Sequence, residues 1–272
     1  FLGRFASMPS VISAAVSDAA AARIRTYGSP PLTVLVFLFL VLSPPPVVAE
    51  PDDGFAEKRA EMTAVISALA KRIGKVSGKG VMDEGVMKVM ARVPRHQFVP
   101  EERRGDAYDN RPLPIGFGQT ISQPYIVALM TDLLALAPGA SVLEVGTGSG
   151  YQAAVLAELA RRVFTIEIID ELGELAKKRL AGLGYANIRA RVGDGYYGWP
   201  EGAPFDAIIV TAAASHIPPP LIQQLKPGGR MVIPVGEWFD VQYLTLIEKK
   251  ADGEIVVSQL LPVAFVPLTG EH

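Results

Sequence analysis

A glycine-rich turn in the middle of the chain has the spacing of a nucleotide-binding loop. The apolar run Val142–Val145 leads into Gly146-Thr147-Gly148-Ser149-Gly150. Glycines at the carboxyl end of a strand let the backbone turn tightly and approach a ligand closely. The pattern is G-x-G-x-G, and Tyr151 stands where the dinucleotide fingerprint has its third glycine. The spacing therefore weakens the case for a pyrophosphate ligand.

The charge next to this loop separates two candidate ligands. Glu144 stands just before the loop. Its carboxylate would repel the pyrophosphate of NAD but attract the ammonium group of a methionine moiety. Spacing and charge therefore favour S-adenosyl-L-methionine, bound beside Glu144, Gly146, Thr147 and Gly148. The alternative is an ordinary tight turn between a strand and a helix.

Two further acidic residues follow apolar runs and suit the rest of such a cofactor. Glu167 ends a run that begins at Val163, and it can accept hydrogen bonds from ribose hydroxyls. Asp194 lies between Gly193 and Gly195 after the next run, where it could meet an adenine amino group. The alternatives are a surface glutamate at 167 and a simple turn at 194.

The elements that would position these residues alternate between strands and helices. Predicted strands are Val142–Val145, Val163–Glu167, Ile188–Val192, Ala207–Val210, Met231–Val235, Val241–Glu248 and Glu254–Val266. The first predicted helix is Phe55–Ile73, which Gly74–Gly80 ends. The second is capped by Asp83 and ended by Pro94. The others are Tyr125–Leu136, Gly150–Ala160, Asp170–Leu183 and Pro219–Leu225. Near-continuous apolar strands between helices predict an α/β fold, a doubly wound and mostly parallel seven-stranded sheet with N-terminal helices. The Asp252-Gly253 turn predicts an antiparallel C-terminal hairpin.

Four motifs over residues 56–270 resemble the protein-L-isoaspartate O-methyltransferase family. The most specific is Gly116-Phe117-Gly118-Gln119-Thr120-Ile121-Ser122-Gln123-Pro124-Tyr125. The others are residues 93–100, 225–230 and 266–270. The resemblance implies the sheet of S-adenosyl-L-methionine-dependent methyltransferases. It also implies that the free carboxylate of L-isoaspartyl residues in damaged proteins and peptides is methylated, which initiates repair through a succinimide. A methyltransferase of the same fold that acts on a small molecule is the alternative.

The same resemblance assigns roles to individual residues. Ser122 would be the active-site serine, and Thr269 would lie near cofactor and substrate on a terminal segment that folds back over the site. The methionine end of the cofactor would be bordered by Thr120, Ile121, Gln123 and Tyr125. Glu167 would hold the ribose, and Asp194 with Gly195 the adenine. A carboxylate nucleophile is already ionised at neutral pH, so no general base is required.

The composition of the chain limits the kinds of ligand and partner that it is expected to bind. The formal net charge of -2 gives no basic excess for nucleic acid. The chain has no cysteine, and His96, His216 and His272 lack the spacing of metal ligands, so no metal is expected.

The first fifty residues differ from the rest. The apolar stretch 32–42 follows Arg23 and Arg25 and precedes Val47-Val48-Ala49, which is the layout of a secretory leader. We therefore expect a leader at 1–50 and a methyltransferase domain at 51–272. Because the cofactor is made inside cells, we expect a cytoplasmic enzyme, with export through segment 32–49 as the alternative. Membrane contact would occur only through a retained leader.

Overall fold

Two helices begin the described part of the chain in a computed structural model that describes residues 54–237 and 239–270. Helix α1 (Ala56–Ser77) is longer than predicted, because Gly74 does not end it. Gly74 instead lets the backbone of Gly80 come close, since a Cβ at position 74 would collide with it. The helix ends at Gly78, whose φ of 74° glycine adopts readily.

The second helix, α2 (Glu84–Arg92), begins where the sequence predicts. Asp83 caps it, because its side chain accepts a hydrogen bond of 3.1 Å from the backbone N–H of Val86. The predicted leader at 1–50 lies outside the described residues. Within the described part of the chain, no helix is both long and apolar enough to cross a membrane.

The segment between α2 and the third helix contains short elements that the sequence did not reveal. They are two 3-10 turns and an antiparallel hairpin: Arg95–Phe98, Glu101–Asp106, β1 (Leu113–Gly116) and β2 (Gln119–Ile121). Helix α3 (Pro124–Leu133) follows at once, with proline at its first position, where a missing N–H costs nothing. Ser122 therefore lies on a two-residue link between a strand and a helix.

Seven strands form the main sheet. In chain order they are β3 (Ser141–Val145), β4 (Arg162–Glu167), β5 (Ile188–Val192), β6 (Phe205–Val210), β7 (Leu225–Val235), β8 (Gln242–Lys249) and β9 (Ile255–Val263). Their spatial order is β5-β4-β3-β6-β7-β8-β9. The first five strands in this order are parallel to one another, whereas β8 is antiparallel to β7 and β9 is antiparallel to β8. The predicted fold class is confirmed. Strand β7 starts at Leu225 and not at Met231, because Leu225 already pairs with Phe205.

Helices α4 (Tyr151–Ala157), α5 (Asp170–Gly182) and α6 (Pro219–Gln224) connect the parallel strands. Alternate residues of β3 enter two separate apolar clusters. Val142 packs in the cluster that contains residues of α1 to α4, and Leu143 packs in the cluster that contains Leu221 of α6. Both faces of the sheet are therefore covered. Parallel pairing brings the carboxyl ends of β3, β4 and β6 to one edge.

Candidate functional site

A cavity that opens to solvent lies at this edge of the sheet. Ligands bind in open α/β sheets at the carboxyl ends of the strands. Most residues predicted for the site line this cavity. They are Thr120, Ile121, Ser122, Gly146, Thr147, Gly148, Glu167, Gly195 and Thr269.

The glycine loop is tied to two neighbouring strands. The backbone N–H groups of Gly146 and Thr147 donate to the Ile166 carbonyl at 2.8 and 3.1 Å. The Thr211 hydroxyl, just after β6, donates to the Gly146 carbonyl at 2.7 Å. Gly146 has a φ of 95°, and a Cβ there would collide with that hydroxyl. The loop conformation therefore requires glycine at 146 while Thr211 holds it.

Glu167 ends β4 with a carboxylate fixed by backbone donors. One oxygen accepts from Gly148 N–H at 2.7 Å, and the other accepts from Ile168 and Ile169 N–H at 3.0 and 3.1 Å. A carboxylate accepts about four hydrogen bonds, so about one position remains for a ligand hydroxyl. A second hydroxyl would have to share or replace the bond from Gly148.

Glu144 does not contact the cavity directly, which corrects the expectation that it faces an ammonium group. It is fully buried inside the sheet, where its Oε2 accepts from Thr165 Oγ1 at 2.6 Å and its Oε1 lacks a partner. Thr165 Oγ1 lies 2.6 Å from Thr147 Oγ1, so a chain of hydroxyls joins Glu144 to the cavity wall. Burial, with the charge of Glu167 adding to it, raises the pKa of Glu144 to about 8. The carboxyl therefore keeps its proton at neutral pH.

Three other predicted residues lie next to the cavity but do not line it. Gln123 precedes α3, and Tyr125 is 1% exposed in the core, where burial raises its pKa. Asp194 ends the link after β5, and one of its oxygens accepts from Tyr196 N–H at 2.9 Å. The structure thus brings Gly195 to the cavity and leaves Asp194 beside it.

Ser122 is held by a buried arginine. The Arg95 guanidinium is fully buried and donates to the carbonyls of Ser122 and Ala107, both at 2.7 Å. It also lies over the ring of Tyr151, 4.8 Å from the centroid, and burial lowers its pKa to about 10. Arg95 therefore fixes the backbone of Ser122 to the 3-10 segment.

The terminal segment forms the last wall of the cavity. Ala213 N–H donates to the Val266 carbonyl at 2.8 Å, and Leu268 N–H donates to the Ala213 carbonyl at 2.7 Å. This pairing places Thr269 in the cavity wall, on a terminal segment that folds back over the site.

Several residues of the wall were missed by the sequence reasoning. They include Met130, Tyr151, Gln152, Thr211 and Leu268. The position of Thr211, directly after a predicted parallel strand, could have identified it. The side chains on α3 and α4 carry no comparable sequence signal.

The two histidines among the described residues make local contacts. His96 Nδ1 lies 2.8 Å from the Tyr108 hydroxyl in a buried site, and His216 lies between Ser215 and Tyr196. Among residues 54–237 and 239–270, no three His, Asp or Glu side chains are grouped so that they could hold a metal ion.

Comparisons with known proteins agree on one family. The model of the protein-L-isoaspartate(D-aspartate) O-methyltransferase family matches residues 68–272. Protein-L-isoaspartate O-methyltransferase 1 of Cupriavidus necator is 59% identical over 242 residues, which covers 89% of this chain and 93% of the relative. Protein-L-isoaspartate O-methyltransferase 2 of Polaromonas sp. is 65% identical over 211 residues, which covers 78% of this chain and 100% of the relative. A solved Plasmodium falciparum structure, described as a beta-aspartate methyltransferase in complex with S-adenosyl-L-homocysteine, superposes with a TM-score of 0.62 at 27% identity, covering 76% of this chain and 98% of that chain.

Proposed function

This chain belongs to the protein-L-isoaspartate(D-aspartate) O-methyltransferase family, and we propose that the cavity at the ends of β3, β4 and β6 is its active site. The enzyme methylates the free carboxylate of isoaspartyl residues with S-adenosyl-L-methionine, which starts the repair of damaged proteins. The observation that carries the assignment is the meeting of Ser122 with the glycine loop in one cavity.

The cavity wall suits S-adenosyl-L-methionine. The acceptor position left on Glu167 serves a ribose hydroxyl, and Gly195 leaves room for the adenine, with Asp194 beside it. Thr147 and Gly148 give the methionine part a wall of backbone and hydroxyl groups, while Thr120, Ile121 and Thr269 close it from the other side. Gln123 and Tyr125 act from behind this wall by holding the start of α3.

The bound cosubstrate supplies a methyl group activated on a sulfonium. The residues of this chain have only to align the attacking oxygen and exclude water, because the substrate carboxylate is ionised at neutral pH. The Ser122 hydroxyl donates a hydrogen bond to that carboxylate and holds it in line. Arg95 fixes the backbone of Ser122, so only the side-chain torsion of the serine has to be set when the carboxylate binds.

Methyl transfer to paired peptides tests this function. One peptide carries an isoaspartyl residue, and its twin carries aspartate at the same place. We expect label in the isoaspartyl peptide alone. Equal labelling of both peptides would contradict specificity for the isoaspartyl carboxylate, and label only in small molecules would favour the alternative substrate class.

The domain and its compartment are also proposed. Residues 51–272 would form the methyltransferase domain, in agreement with the family match from residue 68. A cytoplasmic location is supported by the supply of the cosubstrate inside the cell. The partners would be proteins and peptides that contain isoaspartyl residues, and nucleic acid would not be a partner. Cell fractionation, with mass spectrometry of the mature N-terminus, tests this; a product cleaved near residue 49 in the exported fraction would contradict it.

A further inference from the structure

The tip of the β1–β2 hairpin carries an exposed aromatic ring on a backbone that favours glycine. Phe117 has a φ of 54° and stands between Gly116 at 95° and Gly118 at 71°. A positive φ is unusual for a bulky residue and costs free energy. The Phe117 side chain is 51% exposed, so burial in the core does not offset that cost. Backbone strain of this kind is concentrated at functional sites.

The hairpin that presents Phe117 is part of the active-site wall. Gln119 and Thr120 of β2 line the cavity, and Gln119 Nε2 donates to the Phe117 carbonyl at 3.3 Å. On the other strand, Ile115 faces the glycine loop, since a Cβ on Gly148 would lie 3.5 Å from its Cδ1. Phe117 itself does not line the cavity. Its ring therefore stands outside the cavity, at the tip of the hairpin whose strand β2 lines the cavity.

A polypeptide substrate has to cross the rim of this cavity. The chain continues on both sides of the isoaspartyl residue, and the cavity already has to hold the cosubstrate. The flanking residues therefore lie over the surface beside Thr120 and Ser122. An exposed ring there covers apolar side chains well, whereas its electron-rich face is unfavourable for a carboxylate.

We propose that Phe117 is a specificity-determining residue that contacts the residues flanking the isoaspartyl residue and favours apolar flanks over acidic ones. This inference rests on the proposed function. Because the ring lies outside the cavity, its contribution is to binding of the peptide. Affinity for the cosubstrate and the rate of methyl transfer do not depend on it.

Two isoaspartyl peptides test the proposal, identical except for leucine or glutamate on both sides of the isoaspartyl residue. The full chain is compared with Phe117→Gly, Phe117→Ala and Phe117→Tyr. We expect wild type to prefer the leucine peptide. The glycine and alanine variants should raise its KM about tenfold, equivalent to about 1.4 kcal/mol, and lose the preference. Phe117→Tyr should keep it. In all variants kcat and the Kd for S-adenosyl-L-methionine should stay within about twofold of wild type.

Controls separate the ring from other causes. Val257, which is 50% exposed on β9 and does not line the cavity, gives a matched variant, Val257→Ala, that should leave both KM values unchanged. Unchanged peptide preference in Phe117→Gly and Phe117→Ala overturns the inference alone. If Phe117→Ala loses the preference for the leucine peptide and Phe117→Gly keeps it, the inference is also overturned, because backbone strain would then be the cause. No labelling of either peptide by wild type overturns the proposed function as well.

Discussion

Replacing Glu144 with glutamine should change how the stability of the protein depends on pH. The pKa of this buried carboxyl is raised from 4.5 to about 8, chiefly by burial. Between these two values the folded protein holds a proton that the unfolded chain has released. The free energy of unfolding contributed by Glu144 is therefore complete below pH 4.5 and falls as the pH rises toward 8. The expected slope is about 1.4 kcal/mol per pH unit.

Glutamine removes the titration but keeps the shape. Its carbonyl oxygen can still accept from Thr165 Oγ1, which donates to Glu144 at 2.6 Å. The new amide N–H₂ lies where Glu144 Oε1 has no partner, which costs roughly 1–3 kcal/mol at every pH. The substitution therefore shifts the stability curve by a constant and removes the slope. From pH 5.5 to 7.5 the stability of wild type relative to Glu144→Gln should fall by roughly 3 kcal/mol.

Urea unfolding at pH 5.5, 6.5 and 7.5, without cosubstrate, measures this difference. All other titrating groups are common to both proteins, so their contributions cancel when the curves are subtracted. Glu174→Gln is a matched control, because Glu174 is exposed on α5 and pairs with Lys177 at the surface. Its difference from wild type should be flat within about 0.5 kcal/mol. Parallel curves for wild type and Glu144→Gln would refute the assignment of a protonated buried carboxyl.

Three further predictions concern the site and the sheet. Ser122→Ala should lower kcat at least tenfold with little change in cosubstrate Kd by calorimetry, since one aligning hydrogen bond is lost; full turnover would contradict its role. Gly146→Ala should weaken cosubstrate binding and cost roughly 1–3 kcal/mol of stability, and adding Thr211→Ala should restore part of the loss, because the collision disappears while the strained φ remains. Burial alone would raise the pKa of Asp206, but hydrogen bonds from Lys226 and Ser141 outweigh it and hold that pKa below its ordinary value. Asp206→Asn should therefore lose stability at neutral pH, and the loss should shrink as acid protonates the wild-type carboxyl. A loss of stability in chemical denaturation that does not change with pH would contradict this.

The parallel core could be predicted because its strands are apolar along their whole length. Buried strands such as β3 and β6 need no periodicity to be recognised once turns and helices bound them. The ends of helices were harder to predict, because a glycine can either end a helix or allow close backbone packing within it. Gly74 allows a close backbone approach within α1, whereas Gly78 ends that helix with a positive φ. The composition of the sequence does not distinguish these two roles.

The β1–β2 hairpin could not be predicted for a different reason. Its strands contain four and three residues, which is too short for an alternating pattern to be recognised. Pro112, Pro114 and two glycines give the segment the composition of a loop. Gly116, Phe117 and Gly118 all have positive φ, which an ordinary strand does not contain. The site residues in this region were found through the motif around Ser122. No sequence pattern links Arg95 to Ser122, because the two residues are 27 positions apart and meet only in the folded chain.

Glu144 and Glu167 show why residue type alone did not fix the role of an acidic side chain. Both occur in apolar strands next to the glycine loop, and both were predicted to contact the cofactor. Glu167 is the last residue of β4, where three backbone N–H groups beyond the strand reach its carboxylate. Glu144 lies one residue before the end of β3, opposite Thr165, and receives a single hydroxyl. Because Glu144 pairs with Thr165 and Glu167 lies two residues beyond Thr165, both carboxylates are on the same face of the sheet, and Glu144 lies further from the crevice at the strand ends. Distance from the strand end therefore decides which carboxylate can meet a ligand, and Thr211, directly after β6, obeys the same rule.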